Sequence, residues 1–169
     1  MGHLDEDGFL KVTGRIKEQF KLDNGKYITP TPMENAIGMS RFIAQCVLVG
    51  ANRPHTSVLI VPEWEALRQE FEIPDKVSEE ELAKDPRLID LMDAELHMTC
   101  YNRKKYEIPT KWAIVAPFTV ANDMLTQKLS IRRHKVQLVY ADLIDALYGE
   151  KGISQAVGSR DDKQEDRAA

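Results

Sequence analysis

Gly8-Phe9-Leu10-Lys11-Val12-Thr13-Gly14-Arg15-Ile16-Lys17-Glu18, followed by Asn24-Gly25-Lys26-Tyr27-Ile28-Thr29-Pro30 and then Met33-Glu34, is the stretch that decides how this chain folds. Gly8 to Gly14 reads as a short strand. Gln19-Phe20-Lys21-Leu22 alternates polar with apolar residues before the turn Asp23-Asn24-Gly25, and Lys26 to Thr29 reads as the return strand. Together they predict a β-hairpin. A helix is expected next, with Thr31 as its cap, Pro32 in the first helical position and Glu34 completing a capping box, ending near Gly38.

Downstream, Cys46 to Val49 and Ser57 to Pro62 are apolar, β-prone runs separated by the turn-like Gly50-Ala51-Asn52-Arg53-Pro54, and they predict adjacent strands buried on at least one face. A helix is expected over Trp64 to Phe71, and Ser78-Glu79-Glu80-Glu81 forms a second capping box. Asp85-Pro86 restarts a helix, running to about Tyr101, whose Leu88, Met92 and Leu96 recur on one face. Trp112 to Val115 is a further buried strand. Val136, Val139, Tyr140, Leu143, Ile144 and Leu147 predict a helical stripe ended by Gly149. Short strands and helices without regular alternation predict an α+β domain, a small sheet with an N-terminal hairpin covered by helices.

The 169 residues, 43% hydrophobic and 30% charged, suit one domain with its own core. A formal net charge of −4 gives no global pull toward nucleic acid or an anionic membrane, so any anionic ligand must be held locally. Cys46 and Cys100 lack the spacing of a metal knuckle or redox pair and read as buried thiols of a reducing compartment. No apolar run approaches the ~20 residues of a spanning helix. The opening Met1-Gly2-His3-Leu4-Asp5-Glu6-Asp7 is acidic and polar, unlike a secretory signal, so a cytoplasmic location is expected. Residues 158–169 are polar and aperiodic and are expected to form a disordered tail.

The opening motif resembles the one that begins the mobile C-terminal domain of adenylate-forming enzymes, D-G-[FY]-x-x-[IV]-T-G-R-x-K-[DE] and then G-x-x-[IV]-x-P-x-x-[IL]-E. Met1-Gly2 resembles the continuation of that family's T-G-D-x-[GA] segment, which would place the start of the chain just after a ribose-binding Asp. A second stretch, Asn122-Asp123-Met124-Leu125-Thr126-Gln127-Lys128-Leu129-Ser130-Ile131-Arg132-Arg133, runs on through Lys135-Val136 to Tyr140, Ile144 and Tyr148. It resembles the closing motif of long-chain acyl-CoA synthetases, N-G-x-L-T-P-T-x-K-x-[KR]-R, followed by a helix ending in I-x-x-L-Y. The two resemblances span most of the chain; residues from about 74 to 105 match only as a helical insert.

The resemblance implies the lid domain, residues 1–157, of a two-step ligase. Fatty acid and ATP give acyl-adenylate and pyrophosphate, and the thiol of coenzyme A then displaces AMP. It implies Arg15 at the nucleotide, Lys17 as the hinge, in a hinge region near 15–18, and Asn24, Gly25, Lys26 and Tyr27 at the coenzyme A channel. The partner implied is the protein's own N-terminal adenylation domain, where Mg would accompany ATP; no metal is assigned to this chain, nor any nucleic-acid partner or integral membrane segment. An isolated lid is expected to show no turnover.

The chain departs from the pattern at one decisive place. An ungapped match puts Ser130 where the family has its catalytic Lys, Lys128 where it has Thr, and Gln127 where it has Pro. In the family that Lys stabilises charge as the carboxylate attacks the α-phosphate, which Ser130 cannot do. In an extended segment positions two apart share a face, so Lys128 is the candidate for the ammonium. Loss or relocation of the lysine is the alternative, and it keeps open the reading of a non-catalytic interaction domain descended from such a lid; the lid of a ligase that loads a carrier protein instead of coenzyme A is a third reading. The run Arg132-Arg133-His134-Lys135 lacks the interleaved aromatics of a nucleic-acid site and suits a structural role or a contact with the 3′-phosphate of coenzyme A.

Overall fold

The computed structural model describes residues 2–4, 10–12, 18–101, 103–149 and 157–158. Strand β1 (Gly2–Leu4) pairs antiparallel with β2 (Leu10–Val12), inside the stretch expected to be a strand. The anticipated hairpin forms from β3 (Phe20–Lys21) and β4 (Tyr27–Ile28), with Phe20 opposite Ile28. Helix α1 (Pro30–Ile37) follows and ends at Gly38.

The start of α1 differs from expectation. Thr29 is the residue at its N-terminus, and no side chain caps it. Pro30 takes the first helical position, so the helix begins a residue before Thr31 could cap it, and Pro32 has no N–H to offer. The expected box partners bond elsewhere: Thr31 donates to Glu18 at 3.3 Å, and Glu34 accepts from Leu48 N at 2.7 Å.

The main sheet comes from β5 (Ile43–Val49) and β6 (Ser57–Pro62), which pair antiparallel with Leu48 opposite Val58. The chain then makes α2 (Trp64–Phe71), α3 (Glu79–Leu82) and α4 (Pro86–Thr99) before β7 (Lys111–Val115) joins parallel to β6. Both expected caps on this stretch are present. Ser78 and Glu81 form the reciprocal box, and Asp85 accepts from Arg87 N at 2.9 Å. Leu88, Met92 and Leu96 recur every four residues on α4 and are all buried.

The expected stripe at the C-terminal end is broken in two, α5 (Arg133–Val139) and α6 (Ala141–Tyr148). The chain leaves helical geometry at Tyr140, φ −102 and ψ 23, which keeps that ring in the core and turns Val139 outward. Strand β8 (Val157–Gly158) pairs parallel with β7 and completes the order β5-β6-β7-β8. Gly158 therefore pairs with Val115, while the rest of the expected tail, 159–169, lies outside the described residues.

Residues alternate across the main sheet with period two, and each face carries a core. On one face Cys46, Leu48, Val58, Ile60, Trp112 and Ile114 pack with the hairpin and α1, α2 and α4. On the other, Val47, Val49, Leu59, Val61, Ala113 and Val115 pack with Phe118, Met124, Leu125, α5 and α6. Burial on both faces explains why the strands read as unbroken apolar runs. Truncating a fully buried Leu or Met of this kind to Ala costs about 2–5 kcal/mol.

Candidate functional site

Two loops carry the residues singled out in the sequence. In the first, the hairpin, Leu22 and Ile28 are buried anchors and Asn24, Gly25, Lys26 and Tyr27 stand exposed between them. The turn closes through Gly25 N to Leu22 O at 3.0 Å, Leu22 N to Lys26 O at 2.9 Å, and the Asn24 side chain accepting from Lys26 N at 3.1 Å. Gly25 has φ +85, a backbone that residues with a Cβ avoid, and within this chain a Cβ there would only touch Lys21 at 3.7 Å. The ammonium of Lys26 lies 4.5 Å from the centre of the Tyr106 ring.

The hairpin rests on the β5–β6 turn. Asn52 N donates to Lys21 O at 2.8 Å and Asp23 N to Arg53 O at 3.1 Å. Gly50 makes that seating possible: at φ +146, a Cβ there would sit 2.9 Å from His55 O and 3.3 Å from the Phe20 ring. Arg53 also pairs with Asp145, and the Tyr148 hydroxyl donates to His55 O at 3.0 Å, so α6 braces the same turn.

The second loop, residues 116–132, is organised from within. Gln45 exchanges two hydrogen bonds with the Phe118 backbone, at 2.8 and 3.1 Å. The Asn122 side chain accepts from Thr119 N and Met124 N and donates to Pro117 O. Asp123, in the motif position where the resemblance has Gly, has φ +61, and its carboxylate pairs with Arg132 at 3.0 Å. Asp tolerates the left-handed region better than most residues, which accounts for its standing in for Gly.

Beyond Asp123 the chain makes a tight hairpin. Arg132 N donates to Met124 O, Leu125 bridges Ile131, and Thr126 N donates to Ser130 O, the two hydrogen bonds both at 2.8 Å. Leu129 N bonds back to Thr126 O at 2.8 Å with Leu129 at φ +59, and Ser130 N donates to the Thr126 hydroxyl at 3.1 Å. Lys128 thus sits at an exposed tip, and Ser130 on the returning arm. The segment is not extended, so the two do not share a strand face as sequence spacing suggested; a turn intervenes.

Arg133, at the start of α5, and Glu34, on α1, tie the helices that follow the two loops to β5. The guanidinium donates to both carboxylate oxygens, at 2.7 and 2.8 Å, and also to Leu48 O at 3.1 Å, while Glu34 accepts from Leu48 N. Burial works against the Arg133 charge, but the Glu34 carboxylate outweighs it and holds the guanidinium pKa above its ordinary value. Leu48 belongs to β5, an edge of the main sheet, and the ion pair satisfies the N–H and C=O that a neighbouring strand would otherwise take. Glu34 also raises the Cys46 thiol, which burial chiefly pushes up to about 12.

The structure brings Asn24, Gly25, Lys26 and Tyr27 together and exposes Lys128 and Ser130 on a separate loop; Arg15 and Lys17 lie outside the described residues. Of the basic run at 132–135, Arg133 is structural and Arg132 is paired with Asp123. Sequence reading missed the Glu34–Arg133 pair, because a helical Glu offers no local sign of a partner so distant in the chain. It also missed the cations around Tyr106. Among the described residues no helix is long and apolar enough to cross a membrane, and no three His, Cys, Asp or Glu side chains converge on a metal position.

Comparison with known proteins places this geometry. Residues 17–152 match the family model described as the AMP-binding enzyme C-terminal domain. The long-chain-fatty-acid–CoA ligase FadD15 of Mycobacterium tuberculosis is 32% identical over 155 residues, covering 89% of this chain and 26% of that protein. The peroxisomal long chain acyl-CoA synthetase 7 of Arabidopsis thaliana is 28% identical over 159 residues, covering 90% and 23%. Among solved structures, the adenylation domain of a carboxylate reductase from Mycobacterium chelonae superposes with a TM-score of 0.68 at 26% identity, over 86% of this chain and 24% of that one. The chain spans about a quarter of the length of the curated relatives it matches.

Proposed function

This chain belongs to the family of AMP-binding enzyme C-terminal domains, and from that premise we propose that it is the mobile lid of an ATP-dependent long-chain acyl-CoA synthetase. In the first step the fatty-acid carboxylate attacks the α-phosphate of ATP, forming acyl-adenylate and releasing pyrophosphate. In the second the thiol of coenzyme A attacks the acyl carbon and AMP leaves.

One observation carries this reading. The hairpin packs against one face of the main sheet and the 116–132 loop against the other, and the Glu34–Arg133 pair ties α1 and α5, the helices that follow them, to β5. A single catalytic centre on a partner domain can meet only one of those faces at a time. A domain built this way serves a two-step reaction by turning over between steps, the 116–132 loop presented for adenylation and the hairpin for thioester formation.

In this scheme Lys128 reaches the carboxylate and phosphate from its exposed tip, taking the role for which Ser130 lacks a charge. Arg15 contacts the nucleotide, Lys17 is the pivot, and Asn24, Gly25, Lys26 and Tyr27 line the coenzyme A channel. The partner is an N-terminal adenylation domain of the same protein, which also holds the acyl chain. In this reading Mg accompanies ATP on that domain. Two buried free thiols suit a reducing compartment, in our reading the cytoplasm.

ATP–pyrophosphate exchange with a fatty-acid panel, measured on the full-length protein, tests this. Exchange that collapses in Lys128→Ala supports the ligase with a displaced lysine. Absence of exchange, restored by Ser130→Lys, overturns it in favour of a lid that has lost adenylation and serves as an interaction domain.

A further inference from the structure

The β5–β6 turn supports the hairpin, yet its own backbone holds it weakly. Arg53 N closes it on Gly50 O at 3.0 Å, and Asn52 stands at φ +57, in the left-handed region that Asn tolerates but does not prefer. Support comes instead from α6. The Tyr148 hydroxyl donates to His55 O at 3.0 Å with Val49 O 3.4 Å away, so it spans the two strands of chain at the neck of the turn. The Arg53 guanidinium pairs with Asp145 and lies 5.1 Å from the centre of the Tyr148 ring, and the His55 ring lies 4.8 Å from the same ring, centre to centre. Burial pushes the Tyr148 hydroxyl above its ordinary pKa, so it is a donor throughout the neutral range.

This brace acts on the hairpin just short of its tip. Asn52 N donates to Lys21 O and Asp23 N to Arg53 O, and Lys21 and Asp23 flank the buried Leu22, with Asn24 and Gly25 directly after. A shift of Arg53 therefore passes to Asn24 and Gly25 through short backbone hydrogen bonds rather than through soft side chains. The 116–132 loop has supports of its own: Gln45 holds Phe118, Asp123 holds Arg132, and Asn122 closes on Thr119 and Met124. Tyr148 packs against the core beneath that loop through its ring, while its hydroxyl and the Asp145 carboxylate bond to the turn.

We propose that Arg53, Tyr148 and Asp145 are positioning residues for the thioester step, holding Asn24 and Gly25 in the place that aligns the coenzyme A thiol with the acyl carbon, and that adenylation does not depend on them. The inference rests on the ligase reading and on the hairpin serving that step. In the step a sulfur–carbon bond forms as the carbon–oxygen bond to AMP breaks, and the thiol proton passes to water. None of the three residues meets the reacting atoms; their effect is geometric. A displacement of about 1 Å in a loop that aligns two reactants costs up to about a hundredfold in rate. The Arg53–Asp145 pair is exposed enough to contribute little to stability, so the thioester step can slow in a protein that is still folded.

The test separates the two steps in the full-length protein: ATP–pyrophosphate exchange reads adenylation, and rapid mixing of enzyme-bound acyl-adenylate with coenzyme A reads thioester formation. Arg53→Ala and Tyr148→Phe should each lower the single-turnover thioester rate, about tenfold or more when combined, with exchange kept within about twofold of the unmodified protein. The loss should fall on the maximal rate and leave the half-saturating concentration of coenzyme A unchanged, because a loop is misaligned and no binding contact is removed. Arg53→Lys, which keeps the charge opposite Asp145, should retain most of the rate. A merely structural role would depress exchange and thioester formation together. The proposal is overturned by an unchanged thioester rate in the double variant or by equal losses in both steps. If the double variant does not fold, Tyr148→Phe and Asp145→Asn, which keep the side-chain volume, decide by the same comparison. Normal exchange with unaltered thioester formation in the variants removes this inference alone. Absence of exchange in the unmodified protein removes the ligase reading and this inference with it.

Discussion

Arg133 lays both terminal guanidinium nitrogens on the Glu34 carboxylate, 99 positions away in sequence, and the pair grips the backbone of Leu48 from both its N–H and its C=O. Only 13% of the Glu34 side chain and 18% of the Arg133 side chain remain exposed, so removing either partner strands a charge with little water to receive it. Arg133→Ala and Glu34→Ala should each cost about 2–4 kcal/mol in urea unfolding. Combining Glu34→Leu with Arg133→Met should cost less than the two single losses added together, because neither charge is then left alone. A loss below about 1 kcal/mol in both single variants would sink the idea that this pair holds α1 and α5 to β5.

Gly50 and Leu129 share an unusual backbone sign but should respond in opposite ways. At Gly50 a Cβ would meet the His55 carbonyl at 2.9 Å, so Gly50→Ala should destabilise by about 1–3 kcal/mol and loosen the hairpin above it. Amide exchange of Asn52 and Asp23, which donate across that contact, reads the loosening directly.

Leu129 is an exposed leucine held at φ +59 with no packing that repays the strain. Leu129→Gly should leave stability unchanged or raise it by up to about 1 kcal/mol, the strain relieved being offset by the greater freedom of glycine when unfolded. Thermal unfolding decides; a clear loss would mean the leucine side chain supports the loop.

The Cys46 thiol, pushed up to about 12 by burial and then by Glu34, stays protonated in the fold at a pH where an exposed thiol of ordinary pKa 9.0 ionises. A folded pKa above the unfolded one gives a contribution that is complete below pH 9 and is lost as pH rises from 9 toward 12. Burial also raises Cys100 and Tyr148, which steepen the same alkaline decline. Stability against pH should therefore fall in that window, and Cys46→Ala should flatten its slope whatever it does to the absolute value. Equal slopes in the two proteins would contradict this.

This chain alone should fold yet give no acyl-CoA from ATP, fatty acid and coenzyme A, because in the proposed scheme each of its two loops supplies only one wall of a site. Turnover by the purified chain would refute the division of labour proposed here.

Much of this was legible in sequence, and the reasons are physical. The hairpin, α2, the Ser78 box and the Asp85 start are written in short-range signals: turn residues, caps and periodicity within a few positions. The start of α1 was misplaced because two prolines permit more than one register, and the tertiary demand of Leu48 and Arg133 drew Glu34 away from a local bond. The stripe from Val136 to Leu147 gave no warning of its break, since Tyr140 keeps both neighbouring helical hydrogen bonds, to Val136 O and from Ile144 N, while its own dihedrals depart. At the site, Lys26 and Tyr27 could be named from the motif. The approach of Lys26 and Lys104 to one Tyr106 ring could not, because it arises only where the hairpin meets the segment after α4 across the fold. The spacing of Lys128 and Ser130 misled in the same way, by hiding a turn.

The seal that Glu34 and Arg133 place on β5 also bears on solubility. An edge strand as apolar as Ile43 to Val49, left with its backbone groups open, is a template on which a second copy could add a strand and begin to aggregate. Here two charged side chains occupy Leu48 from the open side, so an incoming strand would have to displace an ion pair before it could bond. Variants that lose the pair should therefore be lost from the soluble fraction during expression and refolding sooner than their stability alone would suggest, by self-association through β5.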